Sequence, residues 1–300
     1  MTKLLLDSGD PQEYKIVANL TANHNSQLWG STTNPSLIAK TLSGQKVSMK
    51  EAFSTLQKNI IDEIVQIVPG AVSAEVYAST TTTAAEMVEQ GREIASWHPR
   101  VVVKLPTTLE GFKARTILRS EGITINNTLV FSQEQVYAIS LHEQFMTKEF
   151  GETKSGWPCF ISPFIGRLDD KGQSGVSFLT HGIDIVKEYF PENLVWMLAA
   201  SIRNTNHLKA TFDLACDMAT LPLKVYTQWF NLSPQEQNAI ETTFAELEEI
   251  PRWNPSKTIR KISSTDQLIE AMQQETLSIH HPLTDAGIEK FVADWQNILL

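Results

Sequence analysis

Cysteine is almost absent from this chain: Cys159 and Cys216 are the only two in 300 residues, and they stand in neither a metal-binding nor a redox spacing. That scarcity excludes a disulfide scaffold and fits buried thiols in a reducing compartment. No apolar stretch approaches the roughly 20 residues needed to cross a bilayer. The segment Met1 to Leu6 has one basic residue and a short apolar run, unlike a signal peptide, so a cytoplasmic location is expected. Lys and Arg occur scattered rather than clustered, and the formal net charge is −9. Neither nucleic acid nor a membrane surface is therefore expected as a partner, although a few local cations suffice for a small anionic substrate. No glycine-rich turn follows the first strand, and the run from Asp170 to Gly175 lacks a Walker-type ending and reads as a loop. His280-His281 has no further ligands at metal spacing, and there is no zinc motif or serine nucleophile elbow. No metal and no cofactor is expected. The seven tryptophans read as packing residues.

What the chain does have is an alternation of short apolar runs with longer segments of helical period. Apolar content of 42% with 20% charged residues is ordinary for a globular enzyme. Expected strands are Leu4–Leu6, Leu28–Thr32, Ala71–Ala78, Val101–Leu105, Ile123–Phe131, Cys159–Phe164, Leu194–Ala200 and Met218–Leu221. Helical segments lie between them, with plausible caps such as Thr107 or Thr108 before Glu110 and Ser132 before Gln135. Eight strand–helix units predict an α/β fold of the (β/α)₈ TIM barrel type, which takes about 250 residues. The expected organisation is one barrel domain over 1–300, of which 225–300 is a C-terminal helical extension. In that tail Tyr226–Ile250, Asp266–Glu275 and Asp285–Leu299 read as helices, with Glu241 to Glu249 an acidic, solvated helix face.

Catalytic groups of such barrels lie at the C-terminal ends of the strands. Lys104 ends the run Val101-Val102-Val103, where an apolar setting favours a neutral, nucleophilic amine. A snorkelling or structurally paired lysine is the competing reading. Asp7 ends the first strand and Glu75 lies within the third; carboxylates there are costly unless paired or working. A structural ion pair would use Lys104 and one carboxylate and leave the other unexplained. Asn34 precedes Pro35 and reads equally as a helix cap or a polar ligand to a sugar. Asn126 and Thr128 interrupt the fifth strand with polar groups. Arg167, Ser201 and Arg203 follow strands six and seven, where barrels often bind phosphate and where arginine offers a forked donor set.

These strand ends resemble the transaldolases and the related fructose-6-phosphate aldolases. The resemblance rests on Leu6-Asp7-Ser8-Gly9-Asp10, Thr32-Thr33-Asn34-Pro35-Ser36-Leu37, Glu75, Val101 to Pro106, Asn126 to Ser132, Ser162 to Arg167 and Ala200-Ser201-Ile202-Arg203, all in family order. It implies that Lys104 is a Schiff-base lysine, Asp7 the acid/base at the C4 hydroxyl, and Glu75 with Thr128 the holders of a catalytic water. It further implies that Asn34, Asn126 and Ser162 contact a dihydroxyacetone unit, and that Arg167, Ser201 and Arg203 hold a phosphate. Phe164 matches the transaldolases, whereas the aldolases have tyrosine there, which points to transfer over release. The expected activity is a transaldolase of the pentose phosphate pathway type acting on sugar phosphates. A lyase releasing dihydroxyacetone, a pathway-specific sugar, and a non-catalytic barrel are the alternatives. An assembly of identical subunits is compatible with the chain. Ile202, where many members have phenylalanine, and the segment Gln144–Gly156 depart from the family pattern.

Overall fold

The computed structural model describes all residues except Met1, Asn25 and Thr243. Eight parallel strands close into a barrel in chain order. They are β1 (Lys3–Asp7), β2 (Leu28–Thr32), β3 (Val72–Glu75), β4 (Val101–Pro106), β5 (Ile125–Val130), β6 (Cys159–Pro163), β7 (Val195–Ala199) and β8 (Met218–Leu221), with β8 paired to β1. Around them run α1 (Pro11–Ala22), α2 (Pro35–Thr41), and α3 (Met49–Glu51), which continues through a π-helical stretch, Ala52–Gln57, into α4 (Lys58–Ile67). Next come α5 (Ala84–Trp97), α6 (Leu109–Ser120), α7 (Gln133–Phe150), α8 (Ile165–Asp169), α9 (Gly175–Tyr189), α10 (Thr205–Asp213) and α11 (Leu223–Phe230). The tail adds α12 (Pro234–Asn238), α13 (Thr265–Gln273) and α14 (Pro282–Gln296). This is the expected (β/α)₈ barrel with a C-terminal helical extension.

Helices begin where a side chain can satisfy an orphan backbone N–H. Asp10 accepts from the Gln12 amide at 2.9 Å and Asn34 from the Leu37 amide at 3.0 Å, each just before a proline whose missing donor is harmless there. Thr83 with Glu86, and Ser132 with Gln135, form reciprocal capping boxes.

Inside the barrel the strands change character along their length. Leu5, Ala71, Val102, Phe160, Leu198 and Met218 form an apolar layer separate from the larger core between strands and helices. Trp29, Trp157 and Trp196 pack against this layer, with Trp29 edge-on to the other two at 5.6 and 6.2 Å. Alternate residues share one face of a strand, so the next inward positions are Asp7, Ser73, Lys104, Ser162, Ala200 and Thr220. A dry floor therefore supports a mostly polar upper layer.

Three sequence expectations need correction. β3 stops at Glu75 and does not reach Ala78, because the Tyr77 amide turns away to the Gln90 side chain at 2.8 Å. α7, expected over Gln133–His142, continues to Phe150 and absorbs the first half of the Gln144–Gly156 segment. The expected helix Tyr226–Ile250 breaks after Phe230, where Ser233-Pro234 forces an extended residue before the ring and starts a new, short helix. Among the described residues of Glu241–Glu249 there is no helix. That stretch is tied by its backbone instead: the Glu248 amide donates to Gly172 O (2.8 Å), and the Ser174 amide donates to Glu248 O (2.7 Å).

The prolongation of α7 carries a buried charge cluster. Glu143 accepts from Arg115 at 2.9 Å and from Arg119 at 2.7 Å, and all three side chains are essentially without solvent. Arg119 also donates to Gly151 O at 2.8 Å, which ties the end of α7 to α6. Removing the shared carboxylate would strand two guanidiniums in the interior, a loss of about 3–5 kcal/mol. Glu143→Ala is therefore expected to lower the urea unfolding midpoint sharply. A change worth less than about 1 kcal/mol would show that α6 and α7 do not depend on this cluster.

Candidate active site

The upper layer of the barrel is a connected polar set. Lys104 on β4 sits beside Glu75 on β3, its register partner, with Nζ 3.0 Å from Oε2. The same ammonium donates to Thr33 O at 3.0 Å. Both side chains are about 4% exposed. Across the barrel, Thr220 donates to Thr32 (2.6 Å) and Thr32 donates to Asp7 Oδ1 (2.8 Å). Behind them Ser162 donates to Asn126 Oδ1 (2.6 Å), and Asn126 Nδ2 donates to Ser73 Oγ (3.0 Å). Structural pairing thus accounts for Lys104 and Glu75 but leaves Asp7 with a single threonine.

Asp7 is held from below by the turn that follows β1. The hydroxyl of buried Tyr14 donates to Ser8 O at 2.8 Å and shares a hydrogen bond with Ser31 Oγ at 2.5 Å. Burial pushes the Asp7 carboxyl above the ordinary carboxylate range, opposed by Lys104 and then by the Thr32 hydrogen bond. Burial likewise raises Glu75, again opposed mainly by Lys104. Glu75 Oε2 faces the Lys104 ammonium, whereas Thr128 Oγ1 is buried without a hydrogen-bond partner among the described residues. Thr128 precedes Leu129, whose φ of 58° marks an irregularity in the β5–β6 register.

The ends of β6 and β7 build a cationic wall. Phe164 follows β6 and bridges to Ala200, and Ser201 then turns with φ 58°, a conformation costly for a residue with a side chain. Gly166 allows α8 to nest on this turn: a Cβ there would lie 2.1 Å from Ser201 O. Asp169 and His207 lock the two segments together. His207 Nδ1 accepts from the Arg203 amide (3.3 Å), while Nε2 faces Asp169 Oδ2 at 2.6 Å. Arg203 itself reaches the rim, 2.7 Å from Asp170, both largely exposed, so this pair is a weak one. Arg167 is half-buried, and desolvation followed by the nearby Arg203 charge moves its pKa down.

A cavity of about 490 Å³ joins these parts. Of the residues singled out in the sequence, Asp7, Asn34, Lys104, Ser162, Phe164, Arg167, Ser201 and Arg203 line it. Glu75 and Asn126 lie behind, bonded to Lys104 and Ser162, and Thr128 is fully buried. Asn34 caps α2 and also faces the cavity.

A family model described as Transaldolase/Fructose-6-phosphate aldolase matches residues 4–300. This chain belongs to that family. It is 33% identical over 296 residues to a probable transaldolase of Desulfitobacterium hafniense, covering 99% of each protein. Its identity to one of Myxococcus xanthus is 32% over 296 residues, covering 99% of this chain and 95% of the relative. With one of Agathobacter rectalis the figures are 33% over 296 residues, 99% and 98%. The family membership thus takes in the tail as well as the barrel.

Sequence reasoning missed several lining residues. Thr220 was recoverable, because it lies two positions beyond the buried Met218 and must share its face. Leu283, Lys290 and Phe291 on α14 were not, since nothing in the tail announces that it crosses the barrel mouth. Asp7 supplies a direct test of the layer's energetics. Its folded pKa is raised above 3.8, so ionisation above that pH favours the unfolded chain. Asp7→Asn keeps the acceptor for Thr32 and removes the charge. It is expected to stabilise the protein at pH 7 by about 0.5–2 kcal/mol, with the gain disappearing as pH falls toward about 4. Urea melts of both forms at the two pH values check this, and a loss of stability at pH 7 would contradict it.

Proposed function

We propose that this protein is a transaldolase, moving a dihydroxyacetone unit from a ketose phosphate to an aldose phosphate by way of a Schiff base on Lys104, as in the pentose phosphate pathway. The observation that carries this reading is one cavity shared by a buried lysine, a separate carboxylate of raised pKa and two guanidiniums.

In this reading the Lys104 amine attacks the C2 carbonyl, and loss of water gives an iminium. Asp7 takes the proton from the C4 hydroxyl as the C3–C4 bond breaks. The bonding electron pair passes into the iminium, leaving an enamine on Lys104 and freeing an aldose phosphate. A second aldose phosphate adds by the reverse path, and water then hydrolyses the Schiff base. Glu75 and Thr128 hold the water that serves these proton transfers. The Thr128 hydroxyl, buried without a partner among the described residues, supports that role, because buried polar atoms seldom stay unpaired, and Glu75 is held beside Lys104 at 3.0 Å. Asn34, Asn126 and Ser162 grip the three-carbon unit, and Arg167, Ser201 and Arg203 hold the phosphate, with charge-assisted bonds worth roughly 1.5–3 kcal/mol each. No cofactor enters this scheme.

Transfer over release is supported by Phe164. Its ring is 7% exposed, packs against Phe131 at 5.6 Å between centroids, and lines the cavity with Ser162. It brings no group able to relay a proton to the enamine, so the fragment waits for an aldehyde.

Two measurements test the proposal. Borohydride in the presence of fructose 6-phosphate is expected to fix a three-carbon adduct on the peptide containing Lys104, and Lys104→Met is expected to abolish both adduct and turnover. An adduct on another lysine with turnover intact would overturn the mechanism. Phe164→Tyr is expected to raise acceptor-independent release of dihydroxyacetone relative to transfer while trapping persists. An unchanged ratio in a folded, trappable variant would show that the ring does not govern the outcome.

A further inference from the structure

Arg167 is held in an unusual way. The fully buried Arg115 and Arg119 share Glu143 at 2.9 and 2.7 Å, and half-buried Arg100 donates to the carbonyls of Val65 and Val68. Among the described residues no carboxylate lies within ion-pair distance of Arg167, although it is half-buried and close enough to Arg203 to be repelled by it. Two aromatic rings take the place of the missing carboxylate. The guanidinium carbon lies 5.3 Å from the centroid of Phe164 and 5.6 Å from that of Phe291, both within the roughly 6 Å range of a cation–π contact. Phe164 comes from the end of β6, and Phe291 from α14, more than a hundred residues later in the chain.

The helix is shaped around this contact. A Cβ on Gly287, one turn before Phe291, would fall 2.7 Å from an Arg167 terminal nitrogen and 2.6 Å from Leu129 Cδ2. Thr284, at the start of the same helix, donates to Leu129 O at 2.9 Å and fixes its height above β5. Lys290 also lines the cavity, but it is mostly exposed and already paired with Asp294 at 3.0 Å. Phe291 is the α14 side chain whose ring contacts the Arg167 guanidinium. A ring that stabilises a guanidinium through its π face does not occupy the N–H donors, which remain available for a ligand. A carboxylate in its place would use those donors and would repel an anion.

We infer that Phe291 is a positioning residue for the anion site: it holds the Arg167 guanidinium in place, charged and with its donors free, and so makes the C-terminal helix part of the recognition of phosphorylated substrate. This rests on the phosphate role given to Arg167 under the proposed function. The expected effect is selective. Phe291→Leu keeps an apolar side chain but removes the ring. A cation–π contact is worth about 0.5–2 kcal/mol, so inorganic phosphate should bind about two- to thirty-fold more weakly. The half-saturating concentration of fructose 6-phosphate in borohydride trapping should rise by the same factor, and that of unphosphorylated dihydroxyacetone should stay put. Phe291→Tyr, which restores the ring, is expected to behave like the unaltered protein. Phe291→Met gives a second ring-free side chain should the leucine variant fold poorly.

Phosphate binding is measured by titration calorimetry without any sugar, so that it reads the anion site even if the Schiff-base chemistry is wrong. Arg167→Ala is run alongside. Selective weakening in both Arg167→Ala and the ring-free variants bears the inference out. If Arg167→Ala weakens phosphate and the ring-free variants do not, Phe291 is packing alone and the inference falls while the proposed function stands. If the ring-free variants weaken both sugars equally, the ring serves the fold and the inference also falls. If Arg167→Ala leaves phosphate binding intact, the phosphate role of Arg167 falls and this inference falls with it.

Discussion

The ammonium of Lys104 lies 3.0 Å from the Glu75 carboxylate, nearly cut off from solvent, inside a closed ring of parallel strands. Taking such ions out of water costs several kcal/mol each, and their mutual attraction offsets this only where further hydrogen bonds complete the pair. The surrounding layer does this in part. Thr33 gives the lysine a carbonyl, and Gln57 anchors the backbone of Glu75 at 3.1 Å. Closure of the barrel is what makes the pair possible. Adjacent strands set Glu75 and Lys104 side by side, and the tryptophan-backed layer below keeps water from entering at the other end. A pair of apolar residues at these positions would serve stability as well or better. The pair is thus poorly explained by stability and better explained by the chemistry proposed for it.

The same tension recurs on the other side of the cavity. Asp7 carries a raised pKa, Ser201 a left-handed backbone, and Arg167 a charge with no carboxylate within ion-pair distance among the described residues. Each is unfavourable by itself, and each is constrained by a rigid neighbour: Tyr14 beneath Asp7, the Asp169–His207 link beside Arg203, two rings over Arg167. Strain and incompletely paired charge gathered around one cavity is the pattern expected of a working site.

The tail changes meaning once it is folded. Its middle section is a strap fastened to the turn after α8 through Glu248, and its last helix is a wall of the cavity. Ser36 donates to Asp294, so α14 is also tied to α2, whose cap Asn34 faces the same cavity. Substrate recognition in this reading depends on a segment whose own composition carries no sign of it.

The sequence by itself determined the barrel and the order of its polar strand ends. A parallel strand buried on both faces shows as a short apolar run, and a polar residue within such a run is conspicuous because burial there is expensive. Lys104, Glu75 and Asp7 were legible for that reason, whereas Thr220, missed in the sequence, follows by period once Met218 is known to face inward. The helix starts were legible too, because capping is a matter of neighbours two or three residues apart. Tertiary structure alone decided which carboxylate pairs with Lys104, that Arg167 is held by rings instead of an acid, and that α14 lies over the mouth. These are contacts between residues far apart in the chain, set by strand register and by where a helix finds a surface to cover. Local pattern carries no information about either. For the same reason the acidic stretch Glu241–Glu249 misled: its spacing suits a helix, but the strap's backbone pairs instead with the turn that follows α8.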